Sequence, residues 1–126
     1  MIEEICTFNS EALNIKPEDL KRLEGNDREW LITALKEELT EFQDSETLVD
    51  DVDALLDLCY FAIGGLYRAG LTPEQIRGSF DAIHNANMAK KVGVKENREG
   101  FDGVTDAVKP EGWKSPEEKI EEIIYG

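Results

Sequence analysis

The sequence predicts an all-α fold. Apolar residues recur at helical spacing over Leu31 to Phe42 and again over Val52 to Leu66, and helix caps and stops punctuate the chain around them. No strand pattern is strong enough to challenge that reading. At 126 residues the chain is read as one domain, 1–126, built from four main helices plus short ones.

Taken in order, Ile2 to Leu13 is expected as a first helix with Ile5, Phe8 and Leu13 inward. Pro17 at a first-turn position opens a short helix through Leu23, which Gly25 stops. Asn26 is the expected N-cap of the next helix, with Glu29 three residues on as in a capping box, and that helix carries Trp30 to Phe42. A short connection around Asp44, Ser45 and Glu46 turns the chain back, so the next long helix should lie antiparallel to the previous one. Ser45 or Thr47 caps that second helix, which runs to Arg68 or Ala69 and ends at Gly70. Gly64 and Gly65 inside it weaken the helix by about 1 kcal/mol each relative to alanine, and close approach of another helix is the expected compensation.

Thr72-Pro73-Glu74-Gln75 combines a cap, a first-position proline and a capping-box residue. Ile76, Phe80, Ile83, Asn87 and Lys90 then follow one face, so the apolar part anchors this helix and its C-terminal part delivers Asn87 and Lys90. Val92 to Val108, rich in Gly, Asn, Asp and Lys, is expected as loop, with a brief hairpin through Gly100 to Gly103 at most. Ser115-Pro116-Glu117-Glu118 caps a last short helix that ends near Tyr125.

The two long helices carry acids where core residues belong. Glu38 and Glu41 continue the stripe begun by Leu31, Ala34 and Leu35, and Glu37 stands one turn before Glu41. In the second helix Asp53 and Asp57 are four residues apart on one face of an otherwise apolar run. An antiparallel pairing brings these carboxylates together. At roughly 5 Å and an effective dielectric near 20, each like-charge pair costs about 3 kcal/mol before desolvation. Protonation or bound cations must offset that cost. An all-oxygen set without histidine or thiolate suits Mg2+ or Mn2+, not zinc. Asp50, Asp51 and Glu46, by contrast, read as solvated acids.

Composition narrows the partners. A formal net charge of −14 argues against nonspecific binding to nucleic acid or an anionic membrane, but not against a small polyphosphate that arrives with its metal. The apolar helix from Val52 to Leu66 has more surface than one thin helical layer covers, so a homo-oligomer is expected. Cys6 and Cys59 lack zinc or CxxC spacing and read as reduced thiols of a cytoplasmic protein. Leu55 to Leu66 is too short to span a bilayer, and Met1-Ile2-Glu3-Glu4 does not resemble a secretion signal. His84, the one histidine, reads as a surface or interhelical hydrogen-bonding residue, and Trp30 and Tyr60 read as core. Lys90, Lys91 and Lys95 form a small basic island that serves either solubility or a phosphate grip.

A family resemblance enters on these residues. Glu37-Glu38-Leu39-Thr40-Glu41 resembles the EExxE motif of the MazG-like all-α NTP pyrophosphohydrolases, the group related to phosphoribosyl-ATP pyrophosphohydrolase and the dimeric dUTPases. In the partner ExxD motif, Ala54 stands at the expected Glu before Asp57, with Asp53 adjacent. The Asp53-Ala54-Leu55-Leu56-Asp57 form is similar to a phage-type branch that carries NMxK and KPxGW segments, here Asn87-Met88-Ala89-Lys90 and Lys109-Pro110-Glu111-Gly112-Trp113.

The resemblance covers about Trp30 to Pro116 and implies a MazG-like helical bundle assembled as a homodimer or homotetramer. It implies hydrolysis of a (d)NTP to the (d)NMP and pyrophosphate, with dGTP or GTP, dUTP or dCTP as candidate substrates, and control of the nucleotide pool in a phage-infected cytoplasm. Glu37, Glu38, Glu41, Asp53 and Asp57 would hold Mg2+, or Mn2+ in its place, and Glu37, Glu38 and Glu41 are the catalytic candidates. Asn87, Lys90, Lys91, Lys109 and Trp113 would contact the substrate, although Trp113 can equally pin the C-terminal arm. The alternative is a catalytically silent acidic adaptor that binds a basic partner, a reading that the Ala54 departure keeps open.

Overall fold

The computed structural model describes residues 1–94 and 105–126, with strand residues 91–94 and 105–106 given by their backbone. Its elements are α1 (Ile2–Thr7), a π-helical turn (Phe8–Ala12), α2 (Gly25–Asp44), α3 (Leu48–Arg68), α4 (Pro73–Met88), β1 (Lys91–Val94), β2 (Thr105–Val108) and α5 (Glu117–Tyr125). The predominantly helical architecture agrees with the all-α prediction. Among the described residues, no helix is long and apolar enough to cross a membrane. The chain divides into two packed units, Met1–Ile76 and Arg77–Gly126.

In the first unit, α2 and α3 form the expected antiparallel pair. Partners run in opposite directions along the two helices, since Leu31 faces Gly65 whereas Glu38, two turns further along α2, feels the charge of Asp57, two turns earlier on α3. Small residues are buried along this pair, Ala34, Ala54, Gly64 and Gly65, of which Gly65 meets Leu31 of α2 and Gly64 meets Asn9 of the π turn. A Cβ on Gly64 would stand 3.2 Å from Asn9 Nδ2, so the glycines do admit close neighbours. Thr47 caps α3 by accepting a 3.1 Å bond from the Asp50 amide. Thr72 and Gln75 form the predicted reciprocal box, Thr72 N donating to Gln75 Oε1 at 2.9 Å and Gln75 N to Thr72 Oγ1 at 3.1 Å.

The N-terminal region departs from expectation. Regular α-helix stops at Thr7, and the wider π turn that follows changes which side chains face inward. Ile5 is fully buried as predicted, but Phe8 and Leu13 are exposed, and Asn9 is buried with its Nδ2 donating to Ile5 O at 2.9 Å. The helix expected over 17–23 is absent. Seven residues cannot repay helix nucleation without a packing face, and here the stretch crosses the end of α3, with Lys21 N donating to Ala69 O at 2.8 Å. Tyr67 ties the start of that stretch, its hydroxyl donating to Ile15 O at 2.7 Å. The α2 helix begins at Gly25 after Glu24, so Asn26 lies inside the first turn and does not cap it.

Trp30 and Tyr60 are not core residues within the chain, and Leu48, Val49, Val52, Leu55, Leu56 and Leu66 leave one side of α3 exposed. Cys6 is buried, Cys59 is exposed, and both are free thiols.

In the second unit, Gly78 of α4 lies against Ile123 of α5, where an added Cβ would make ordinary contact at 3.4 Å. Of the expected inward stripe, Ile76 is buried, whereas Phe80 and Ile83 are exposed. The segment expected as loop contains two antiparallel strands, paired from Lys91 with Val108 to Val94 with Thr105. Four-residue strands are too short to show alternation against a Gly- and Lys-rich background, which is why the sequence reading missed them. The expected turn at Gly100 to Gly103 lies outside the described residues, as does Lys95. Pro116, not Ser115, occupies the cap position of α5, with no side-chain cap bond.

Candidate active site: a half-buried carboxylate cluster

Four of the predicted acids meet across the α2–α3 pair. Ala34 and Ala54, one turn before Glu38 and Asp57 on their helices, are buried, and Glu38 is half-buried. Burial first, then a hydrogen bond with the Glu41 carboxyl, then the charges of Glu41, Asp57 and Asp53 push Glu38 from an ordinary 4.5 up to about 7. Asp57, on the facing helix, is likewise raised above its usual 3.8 by burial, then by the charges of Asp53 and Glu41. Glu38 Oε2 is buried and has no hydrogen-bond partner among the described residues.

Beside this cluster opens a depression of about 420 Å3 lined by Thr40, Glu41, Asp44, Ser45, Asp50 and Asp53. Asp50 is exposed, as the sequence reading has it, and also lines this open depression. Its place beside the cluster follows from its position one turn before Asp53 and two before Asp57 on the same helix. Glu37 is exposed, in a separate open groove with Thr33, Lys36, Thr40 and Glu41, and is not among the charges acting on Glu38.

As the side chains stand, no three His, Cys, Asp or Glu groups among the described residues are arranged to hold a metal ion. The donor chemistry nonetheless fits a hard divalent cation. Every donor is a carboxylate oxygen, the charges that act on Glu38 are all negative, and one buried oxygen of Glu38 lacks a partner among the described residues. Glu38, Glu41, Asp53 and Asp57 are the residues that would hold it.

Three of the predicted substrate-contact residues, Lys90, Lys109 and Trp113, cluster in the second unit. Lys90 Nζ and Lys109 Nζ each lie 5.1 Å from the centre of the Trp113 ring. Trp113 is fixed from both ends: its Nε1 donates to Ala86 O at 2.6 Å and its backbone N to Pro110 O at 3.1 Å. Gly112, with φ of +78°, supplies the left-handed residue this turn requires. The NMxK and KPxGW segments, separated in sequence by both strands, are thus joined through one indole. Asn87 is exposed on α4, as is His84.

The family model for phosphoribosyl-ATP pyrophosphohydrolase matches residues 7–87. The matched span holds all the candidate carboxylates and ends at Asn87, so Lys90, Lys91, Lys109 and Trp113 lie beyond it. A comparison with curated proteins finds no match. With more than half of its residues matched, the chain belongs to the phosphoribosyl-ATP pyrophosphohydrolase family, part of the MazG-like all-α superfamily of pyrophosphohydrolases that act on nucleotide phosphoanhydrides.

Proposed function

We propose that the chain hydrolyses a nucleoside triphosphate between its α- and β-phosphates, releasing the monophosphate and pyrophosphate. The observation that carries this reading is Glu38, a half-buried carboxyl with an unpartnered oxygen among three further acids. Mg2+ is the proposed cofactor, with Mn2+ able to substitute, held by Glu38, Glu41, Asp53 and Asp57, with Glu37 as a further ligand. When bound, the cation offsets the charge of the triphosphate and of the departing pyrophosphate and acidifies nearby water.

Glu38 titrates near neutrality and is therefore suited to take a proton from the attacking water, with Glu41 one turn away to orient it and Glu37 as the other candidate. The water oxygen bonds to the α-phosphorus, the bond from that phosphorus to the bridging oxygen breaks, and pyrophosphate leaves with the electron pair. Asn87, Lys90, Lys91, Lys109 and Trp113 are proposed to receive the phosphates. The support is the pair of lysines held at Trp113, since a triphosphate only partly neutralised by metal needs cationic donors.

A homodimer or homotetramer is proposed on the strength of the exposed apolar side of α3. Guanine nucleotides, dUTP and dCTP are the candidate substrates, and control of a phage-infected cell's cytoplasmic nucleotide pool is the candidate role. The adaptor reading draws on Ala54 and on carboxylates that are not closed around one point. Incubating each common NTP and dNTP with Mg2+ or Mn2+, with and without added pyrophosphatase, separates the two by phosphate release. Release that depends on pyrophosphatase is expected. Release without it overturns the choice of bond, and no release from any nucleotide favours the adaptor.

A further inference from the structure

The exposed side of α3 carries an ordered stripe. Leu48, Val52, Leu55, Cys59, Ala62 and Leu66 follow one another at intervals of four and three residues in strict alternation, the spacing of a helix that packs along another helix, and all six are exposed. Asp57 stands midway along the stripe in sequence but half a turn away around the helix, so stripe and carboxylate cluster occupy opposite sides of α3.

The spacing reads the same from either end. Laid antiparallel against a copy of itself, the stripe matches layer by layer: Leu48 meets the partner's Leu66, Val52 the partner's Ala62 and Leu55 the partner's Cys59, with the converse by symmetry. In the inner layers a larger side chain thus stands against a smaller one. Charge favours the same direction. Asp50, Asp51, Asp53 and Asp57 lie in the first half of α3, which has no acid after them and ends with Arg68. A parallel pair would set two acid-rich starts side by side, whereas an antiparallel pair sets each beside an acid-free end and opposes the helix dipoles. The area is adequate as well. With the flanking Val49 and Leu56, the stripe exposes on the order of 600 Å2 per copy, so pairing buries roughly 1,200 Å2 in all, the lower end of specific interfaces.

We infer that α3 docks antiparallel on the α3 of a second copy, about a two-fold axis at the level of Asp57. The inference rests on the oligomer proposed above and not on the nucleotide chemistry. Each copy keeps its own Glu38, Glu41, Asp53 and Asp57, and the two sets of acids lie back to back at one height along the paired helices.

Disulfide trapping reads direction and register together. In a Cys59→Ala chain, whose remaining Cys6 is buried, Val52→Cys and Ala62→Cys are made singly and together, and glutathione disulfide is added as oxidant. Each bond between chains forms as one glutathione disulfide is reduced to two thiols. The double variant is expected to give a reducible species of twice the 14.2 kDa chain mass, at about ten times the yield of either single variant or more. In the antiparallel pair a single replacement stands about 15 Å along the axis from its own copy, beyond the reach of a disulfide. Efficient trapping in both single variants reports a parallel pair, and a folded double variant that traps nothing reports another interface or none. Either result overturns the inference. If the double variant does not fold, Leu48→Cys with Leu66→Cys, the outermost layer, carries the same test. Trapping in a chain that hydrolyses no nucleotide still supports the pairing, while the proposed function falls by itself.

Discussion

Leu31 of α2 fills the space in which α3 offers no side chain, for a Cβ on Gly65 would stand 2.5 Å from Leu31 Cδ2. Gly65→Ala should therefore overpack the seam by about 1 to 3 kcal/mol, more than the roughly 1 kcal/mol that alanine contributes to helix propensity. A lower Tm is expected, with partial recovery in a Leu31→Ala background. Strictly additive losses in the double variant would show that the two positions do not compete for space.

Glu38→Gln and Asp57→Asn should separate stability from activity. Each amide keeps the side chain's size while removing one charge from a crowded, half-buried cluster. With chelator present, either variant should be at least as stable as the parent, by up to about 1 kcal/mol. Turnover should fall by orders of magnitude, and the rise in Tm on adding Mg2+ should shrink. Clear destabilisation in chelator with near-normal turnover would remove these residues from the site.

The pH dependence has a definite sign. Glu38 in the folded chain titrates at about 7, above its ordinary 4.5, so folding strengthens its hold on the proton. The resulting stability is fully present below about pH 4.5 and is lost as pH rises through about 7, and Asp57, also raised, acts in the same direction. In chelator, the parent's stability minus that of Glu38→Gln should decline across this window. A difference that grows with pH would contradict the burial and repulsion assigned to Glu38.

Lys90→Ala and Lys109→Ala should weaken triphosphate use while leaving the Mg2+-induced rise in Tm intact. Both cations sit at Trp113, apart from the carboxylate donors in chemistry. Wild-type kcat/KM in both variants would exclude them from substrate binding.

Light scattering at micromolar concentration should report a multiple of the 14.2 kDa chain. Leu56→Asp, at a position 59% exposed in the single chain, should shift the particle toward the monomer. A parent chain that already scatters as a monomer ends the oligomer proposal.

The long helices and their acids were legible because period and chemistry disagreed at particular positions. Glu38 and Asp57 occupy places in an apolar stripe, and only a helix pair brings them together. The Thr72 box was legible because both of its bonds lie within four residues. What escaped depends on contacts distant in sequence. Phe8 and Leu13 follow helical spacing, but the π turn overrides it, and residues 17–23 have a helix-start proline yet find their partners on the last turn of α3. Trp30 and Tyr60 looked like core because their size says so, whereas the structure leaves both half-open beside Arg68.

Gly70 sets a limit of another kind. Its φ is +97°, and a side chain there would run into the backbone carbonyl of Asp19. The stop of α3 is thus enforced by main chain from a remote part of the sequence, independent of any cap that mutation could remove. The interval from Asp57 to Arg68, eleven residues and about 16 Å of helix, behaves as a ruler with a fixed end. Substitutions on the outer surface of α3 can alter what the chain meets, but they leave the spacing between Asp57 and Arg68 unchanged.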